Sequence, residues 1–268
     1  MRDEGKRNVL GVLVDVVDYD GVVSRVAAAA QRGEPLTVTA LAVHGIMTGV
    51  LHSAHRRRLN GFHLITPDGQ PVRWALNLLH GSGLRQRVYG PELMLRVCRT
   101  AAEAELPIYL YGSTPQMLFK LATSLTARFP SLQIAGMRCS YFRPLSDEER
   151  DDVVQAVRAS GAKIVFVGLG CPRQEVFAHE MGPRFRLPTL AVGAAFAFHG
   201  GTSPMAPVWM QERGLEWLFR LSREPQRLWQ RYLLLNPLYL ALLAAQWLRV
   251  FRFETKQTAV LKAEPLWG

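Results

Sequence analysis

Two places in the chain carry residue types that chemistry needs. The first is Lys163 to Glu175, KIVFVGLGCPRQE, an apolar run that stops in a glycine-rich turn with proline behind it. Gly168 and Gly170 let backbone turn tightly and approach a ligand, and Pro172 suits a first helical position, where the N–H lacks a partner in any case. A helix N-terminus opened in this way holds anions. A dinucleotide fingerprint needs a third glycine where Arg173 stands; Arg173, Gln174 and Glu175 instead put a cation, an amide and a carboxylate in a row. The stretch therefore reads as a nucleotide or nucleotide-sugar site rather than an NAD site, with an ordinary strand-to-helix turn as the plainer alternative. The second place is Pro67-Asp68-Gly69, where Asp68 offers a carboxylate. All three residues also suit a tight turn for local reasons, and the triplet alone does not choose.

The elements that must position these residues follow a regular rhythm from Leu106 onward. Strand 108–111, helix 115–128, strand 133–137, helix 146–160 and strand 163–167 alternate, and Ser146 with Glu149 makes a capping box. Such alternation predicts an α/β fold, a Rossmann-like, mostly parallel sheet flanked by helices. Upstream, the pattern predicts a strand from Asn8 to Val16 and a helix from Gly21 to Gln31 closed by Gly33. It continues with a strand from Leu36 to Val43, a helix from His44 to Arg58 and a short strand from Phe62 to Thr66. A helix from Val72 to Leu79 leads to a glycine-rich, basic segment, Gly81 to Arg87, that suits a closing flap or a plain connector. Asp68, Gly112 and Gly168 then fall at the carboxyl ends of strands, where open α/β sheets bind ligands. A last strand, Leu187 to Val192, precedes a small-residue loop from Gly193 to Gly201, in which His199 reads as a loop residue.

Composition bounds the function. The chain has 268 residues, of which 49% are hydrophobic and 20% charged, enough for one substantial core and too apolar for a disordered protein. Its formal net charge of +10 favours an anionic partner: nucleic acid, anionic lipid or a phosphorylated substrate. The run His55-Arg56-Arg57-Arg58 is either a solvated face or one turned to a membrane or polyanion. Cys98, Cys139 and Cys171 are widely spaced and the histidines scattered, so reduced thiols are expected and no metal site is. From the start MRDEGKR no signal peptide is expected.

Beyond Pro207 the composition shifts. Trp209, Trp217, Phe219, Trp229, Tyr232, Tyr239 and Trp247 interleave with Arg213, Arg220, Arg223, Arg227, Arg231, Arg249 and Arg252. Residues 1–206 are accordingly expected to form the Rossmann-like catalytic domain and 207–268 a basic, aromatic-rich helical appendage. Tyr232 to Leu248 is uncharged but short of the ~20 residues a spanning helix wants, and Asn236-Pro237 interrupts it. The favoured reading is a segment lying on an anionic membrane; the alternatives are a helix packed on the sheet or on another subunit, and a spanning helix.

Several motifs together resemble the WecG/TagA/CpsF glycosyltransferases, glycosyltransferase family 26. They are Pro67-Asp68-Gly69, Gly168 to Glu175, Gly193-Ala194-Ala195-Phe196, Gly214 to Arg220, and Glu224-Pro225-Gln226-Arg227, spread between about Val9 and Leu233. The resemblance implies an inverting, metal-independent transferase, without cofactor, that moves a sugar from a UDP-sugar to a polyprenyl-diphosphate-linked saccharide. It implies cytoplasmic work at the inner face of the cell membrane, with no nucleic-acid partner; a homo-oligomer is compatible with it. By the same resemblance Asp68 is the general base, Thr39 a polar active-site residue and Arg87 the flap cation. Gln174 is the glutamine of the Pro-Arg-Gln-Glu motif, and Arg220 and Arg227 belong to the membrane-directed appendage. The chain departs from the family at Leu41, often asparagine, at Met205, often arginine, and at Gln230 before Arg231. These departures keep open a catalytically inactive, nucleotide-binding membrane adaptor.

Overall fold

The computed structural model describes residues 1–255, 266 and 268, the side chain of Arg231 excepted. The chain runs β1 (Asp3–Val9), β2 (Val12–Val17), α1 (Tyr19–Arg32), β3 (Leu36–Leu41), α2 (Val43–Leu51), α3 (Ser53–Asn60), β4 (Leu64–Pro67) and α4 (Gln70–His80). It continues α5 (Gly90–Glu103), β5 (Ile108–Gly112), α6 (Pro115–Arg128), β6 (Ile134–Arg138), α7 (Asp147–Ala159), β7 (Ile164–Gly168), α8 (Arg173–Phe185), β8 (Pro188–Ala191) and α9 (Ala195–His199). The last third is helical: α10 (Val208–Glu212), α11 (Glu216–Arg223), α12 (Pro225–Gln230), a π-helical turn (Arg231–Leu235) and α13 (Asn236–Trp247).

Strands β3 to β8 form one parallel sheet in the order β4-β3-β8-β7-β5-β6. The α/β expectation holds, because apolar residues on both faces of each strand require helices on both sides. Leu36, Val38, Leu110, Phe166 and Leu190 point to one face, under α1, α5, α6 and α9. Tyr111, Val165 and Val167 point to the other, under α7 and α8, where the Tyr111 and Phe177 rings stack with centroids 4.3 Å apart. The chain leaves β3 toward β4 on one side and later builds β5 and β6 on the other. That reversal of strand order opens a crevice at the carboxyl ends of the central strands.

Local expectations fail at five points. Asn8 to Val16 is not one strand but the arms of the antiparallel hairpin β1–β2. Its two-residue turn, Leu10 (φ 53°) and Gly11 (φ 87°), is left-handed at both positions, which Leu-Gly does not advertise. The hairpin covers the edge of β4: Asp15 Oδ2 accepts from Ile65 N at 2.7 Å and from Lys6 Nζ at 2.9 Å. The helix expected from 44 to 58 breaks at His52, whose backbone is extended, into α2 and α3. In α3 His55 and Arg58 are buried, one turn apart on the face toward α8, so only part of the basic run meets solvent. Pro172 caps α8 from just outside rather than opening it. The loop expected from 193 to 201 contains α9, whose Phe196 ring lies over Gly168.

The fifth point is the C-terminal segment. Asn236-Pro237 does not interrupt the helix; the π-helical turn carries the chain into α13 with Pro237 in its first turn, where proline costs no hydrogen bond. Tyr239 and Leu243 join the core beneath the hairpin, and Tyr239 Oη donates to Pro71 O at 3.2 Å. Gln246 accepts from Leu10 N at 2.9 Å and donates to Asn8 O at 3.1 Å. One side of α13 is therefore packed, as the packed-helix alternative had it. Leu233, Leu234, Leu240, Trp247 and Leu248 remain exposed. No helix among the described residues is long and apolar enough to cross a membrane.

Candidate active site

A cleft of about 1050 Å³ lies over the carboxyl ends of β3, β4, β7 and β8. Its floor is made by the turns that follow those strands, and its roof by α11, α12 and the π-helical turn. Asp68 enters from the end of β4, and Gly168, Gly170, Pro172, Arg173 and Gln174 enter from the end of β7. Those two strands are three places apart in the sheet, so the two walls stand roughly 14 Å apart. Arg87 lines the cleft from the loop before α5, and Arg220 and Arg227 line it from the C-terminal helices.

Asp68 is held where it begins to leave the sheet. Its N–H donates to Leu41 O at 3.2 Å, and its Oδ1 accepts from Gly90 N at 3.1 Å. Burial raises its pKa to about 6; Arg87, the Gly90 N–H and Arg220 oppose the rise, and Glu216 adds to it. A carboxylate with that value is ionised at neutral pH yet still basic enough to take a proton.

On the opposite wall the glycines have different jobs. A Cβ on Gly168 would lie 2.5 Å from the Phe196 ring, and one on Gly112 would lie 2.7 Å from Gly168 O. Both are small so that β5, β7 and α9 can close on one another, and Gly112 lies outside the lining. Gly170, at φ 77°, has open space where a side chain would stand, and its carbonyl accepts from Gln174 N at 2.9 Å. Gln174 lines the cleft although nearly buried. Its Nε2 donates to Glu175 Oε1 at 2.9 Å, which leaves its Oε1 without a partner among the described residues.

Glu175 and Thr39 lie below the floor, both fully buried. Thr39 Oγ1 donates to Glu175 Oε1 at 3.1 Å, and burial raises the Glu175 pKa, with the Gln174 and Thr39 hydrogen bonds opposing the rise. They form a rigid seat for Gln174 and do not reach the cleft themselves. His199 Nε2 donates to Pro91 O at 2.9 Å, a structural tie between α9 and α5.

The cations are already engaged. Arg87 Nη2 pairs with Glu216 Oε2 at 2.8 Å and bonds Gln211 Oε1 at 3.1 Å, and its guanidinium lies 4.1 Å from the Tyr89 ring centre. Burial pulls its pKa down, but Glu216 and Asp68 outweigh burial and raise it. Arg220 stacks on Phe198 of α9 at 5.8 Å, and Arg227 pairs with Glu224 at 2.5 Å. Tyr89, Glu216 and Gln211 were not singled out as site residues in the sequence. Glu216 lies in the Gly214 to Arg220 motif, so its signal was present but not its role. Of the three family departures, Leu41 is a buried residue of the cleft lining, and Met205 and Gln230 are exposed.

Among the described residues no group of three or more His, Cys, Asp or Glu is placed to hold a metal ion. The arrangement can therefore offer one basic carboxylate, a set of arginines and the open N-terminal turn of α8.

The family model for "Glycosyl transferase WecG/TagA/CpsF family" matches residues 7–252. A relative from Bacillus subtilis (strain 168), N-acetylglucosaminyldiphosphoundecaprenol N-acetyl-beta-D-mannosaminyltransferase, is 28% identical over 176 residues. That match covers 65% of this chain and 66% of the relative, so it spans just under two thirds of the relative's length. With its parallel sheet, its Asp68 wall and its arginine-lined roof, the chain belongs to the WecG/TagA/CpsF family of glycosyl transferases.

Proposed function

We propose that the protein is an inverting hexosyltransferase that moves a sugar from a UDP-sugar to a polyprenyl-diphosphate-linked saccharide, in the synthesis of a bacterial cell-surface or exported polysaccharide. The observation that carries this reading is Asp68: a carboxylate with a pKa of about 6 on one wall of a cleft whose other boundaries are arginines and a helix N-terminus. Asp68 accepts the proton of the acceptor hydroxyl as that oxygen attacks the anomeric carbon. The bond from that carbon to the UDP oxygen breaks on the opposite face. General-base help of this kind contributes ~100- to 10,000-fold.

The departing diphosphate gains charge, and fixed cations facing it lower the barrier. Arg220, Arg227 and Arg173 line the cleft for that task, with the first N–H groups of α8 beside them. Gln174 Oε1, buried beside Gly193 without a partner among the described residues, would have to be uncovered to accept from the sugar donor. The chemistry needs no metal in this scheme, since arginines carry the neutralisation. An undecaprenyl-type acceptor suits a C-terminal region whose outer surface exposes Trp229, Leu233, Leu234 and Trp247, apolar groups that an anionic membrane surface would bury. In this reading the protein works at the cytoplasmic face, where nucleotide sugars are made.

The test is to incubate the protein with a panel of UDP-sugars and a short-chain lipid-diphosphate-linked sugar, with and without a chelator, and to weigh the product. Transfer of one hexosyl unit, with UDP released and with chelator harmless, is expected. Nucleotide binding without transfer to any acceptor would leave the protein a membrane adaptor instead.

A further inference from the structure

Glu216 is a carboxylate at the lip of a cleft that we read as a diphosphate site, where an acidic side chain works against the ligand. Its geometry gives it another task. It is the first residue of α11, and its two oxygens hold two different residues of the body: Oε2 accepts from Arg87 Nη2 at 2.8 Å and Oε1 accepts from Tyr89 Oη at 2.8 Å. The side chains of Arg87 and Glu216 are only 12% and 14% exposed, so neither charge is left to water.

Arg87 and Tyr89 lie in the short segment that anchors Asp68. Val88 N donates to Pro67 O at 3.0 Å, Tyr89 N donates to Tyr19 Oη at 2.9 Å, and Gly90 N donates to Asp68 Oδ1 at 3.1 Å. Residues 87 to 90 are thus gripped from one side by Glu216 and from the other by the end of β4. α11 has no fully buried residue; Trp217 and Phe219 are half-buried and Trp217 packs on Tyr232, so polar ties of this kind share with those contacts in setting it in place. We propose that Glu216 is a positioning residue of the transfer reaction: it fixes the Arg87–Gly90 segment that holds Asp68 and makes the C-terminal helices part of the site.

The proposal rests on the glycosyltransferase reading for its kinetic consequences, though not for its electrostatic one. The charged groups that face Asp68 are Arg87 from the loop, and Glu216 and Arg220 from α11; Tyr19 and Tyr89 beside it stay neutral. Without the Glu216 charge, Arg87 is no longer neutralised by it, and Asp68 loses a repulsive neighbour. Both changes favour the ionised form of Asp68.

The test uses the full chain with Glu216→Gln and Glu216→Asp, followed by transfer kinetics against pH and by NMR titration of the Asp68 carboxyl in the ligand-free protein. For Glu216→Gln the expected result is a fall of ~10- to 100-fold in kcat at pH 8 with the donor KM within ~3-fold. The acidic limb of the profile and the Asp68 titration should both move to lower pH, by about half to one unit. Glu216→Asp, which keeps the charge but shortens the reach, should lose rate with its titration unmoved. An unchanged kcat in folded Glu216→Gln overturns the proposal. So does a loss of rate with no movement of either titration, since that marks mere structural damage. The NMR titration needs no substrate: if the wild-type protein transfers no sugar, the functional reading falls while the Glu216–Asp68 coupling is still decided. Should Glu216→Gln fail to fold, Tyr89→Phe releases Oε1 alone, and a wild-type rate there overturns the proposal equally.

Discussion

The sheet and the C-terminal helices are stabilised in different ways. In the body, whole strands have no exposed side chain: Val165, Phe166 and Val167 are all fully buried, and the stacked Tyr111 and Phe177 rings close the face behind them. In the last third, α10 and α11 bury nothing, α12 buries Leu228, and α13 is held by Tyr239 and Leu243. Polar ties, above all Arg87 with Glu216, add to half-buried contacts such as Trp217 on Tyr232. The body is closely packed throughout, whereas the roof is fastened at fewer points and leaves a broad apolar surface uncovered. Catalytic geometry is needed where the two meet, and Asp68 sits on the rigid side of that seam.

The largest test of this division is Asp68→Asn. It should lower kcat by ~100- to 10,000-fold if Asp68 is the base. It should not weaken the fold. The carboxyl ionises near 3.8 when unfolded and near 6 when folded, so the wild-type protein loses stability as pH rises through that window. Asparagine carries no such cost, and at pH 8 the variant should gain ~1–3 kcal/mol by chemical denaturation. Loss of both activity and stability would make Asp68 a structural residue of the Pro67-Asp68-Gly69 turn.

Next come paired cavities, one in each region. Phe177→Ala empties the space between α8 and the sheet and should cost ~3–5 kcal/mol in global unfolding. Tyr239→Ala removes a side chain of similar size and burial. Because α13 has few anchors, the expected outcome is early proteolysis within residues 207–255, with the main unfolding transition lowered less than in Phe177→Ala. Equal losses in the two variants would mean that the C-terminal helices unfold with the sheet as one unit.

The same contrast explains what could be read from sequence. The parallel sheet was legible because βα alternation from Leu106 onward leaves few ways to pack, and the capping box at Ser146 and Glu149 is present as expected. The placement of Asp68 and of the Gly168 to Glu175 turn at the ends of strands was legible because both follow strands directly. What was not legible depends on contacts distant in sequence. Glu216 gains its role only from Arg87 and Tyr89, more than a hundred residues earlier. Thr39 and Glu175 carry polar atoms that invite a catalytic reading, yet they bond each other under the floor. Arg58 belongs to a basic run that resembles a solvated face, and tertiary packing buries it. The hairpin was missed because Leu10 adopts a left-handed conformation that its side chain disfavours.

A smaller effect should separate surface apolar groups from packed ones. Leu234 and Trp247 are 59% and 52% exposed, so Leu234→Ser with Trp247→Ser should change fold stability by no more than ~0.5 kcal/mol per site. If the roof docks on lipid, each loses ~1 kcal/mol of burial there, and partitioning onto anionic vesicles should fall ~30-fold for the pair. Unaltered vesicle binding would move the membrane contact elsewhere.

The smallest effect reads the seam itself. Asp68 must be ionised to accept a proton, so kcat/KM should fall about tenfold per unit as pH drops below about 6. Two of the three charges that set this value, Glu216 and Arg220, arrive on α11, while Arg87 belongs to the body. A roof that loosens takes Glu216 and Arg220 away together and leaves Arg87 facing Asp68, which favours ionisation. In Tyr239→Ala the acidic limb should therefore shift below its wild-type position, by less than in a variant that removes the Glu216 charge outright. A limb that stays fixed when α13 is unfastened would show that α11 is held to the body by Arg87 and Tyr89 alone, independently of the helices that follow it.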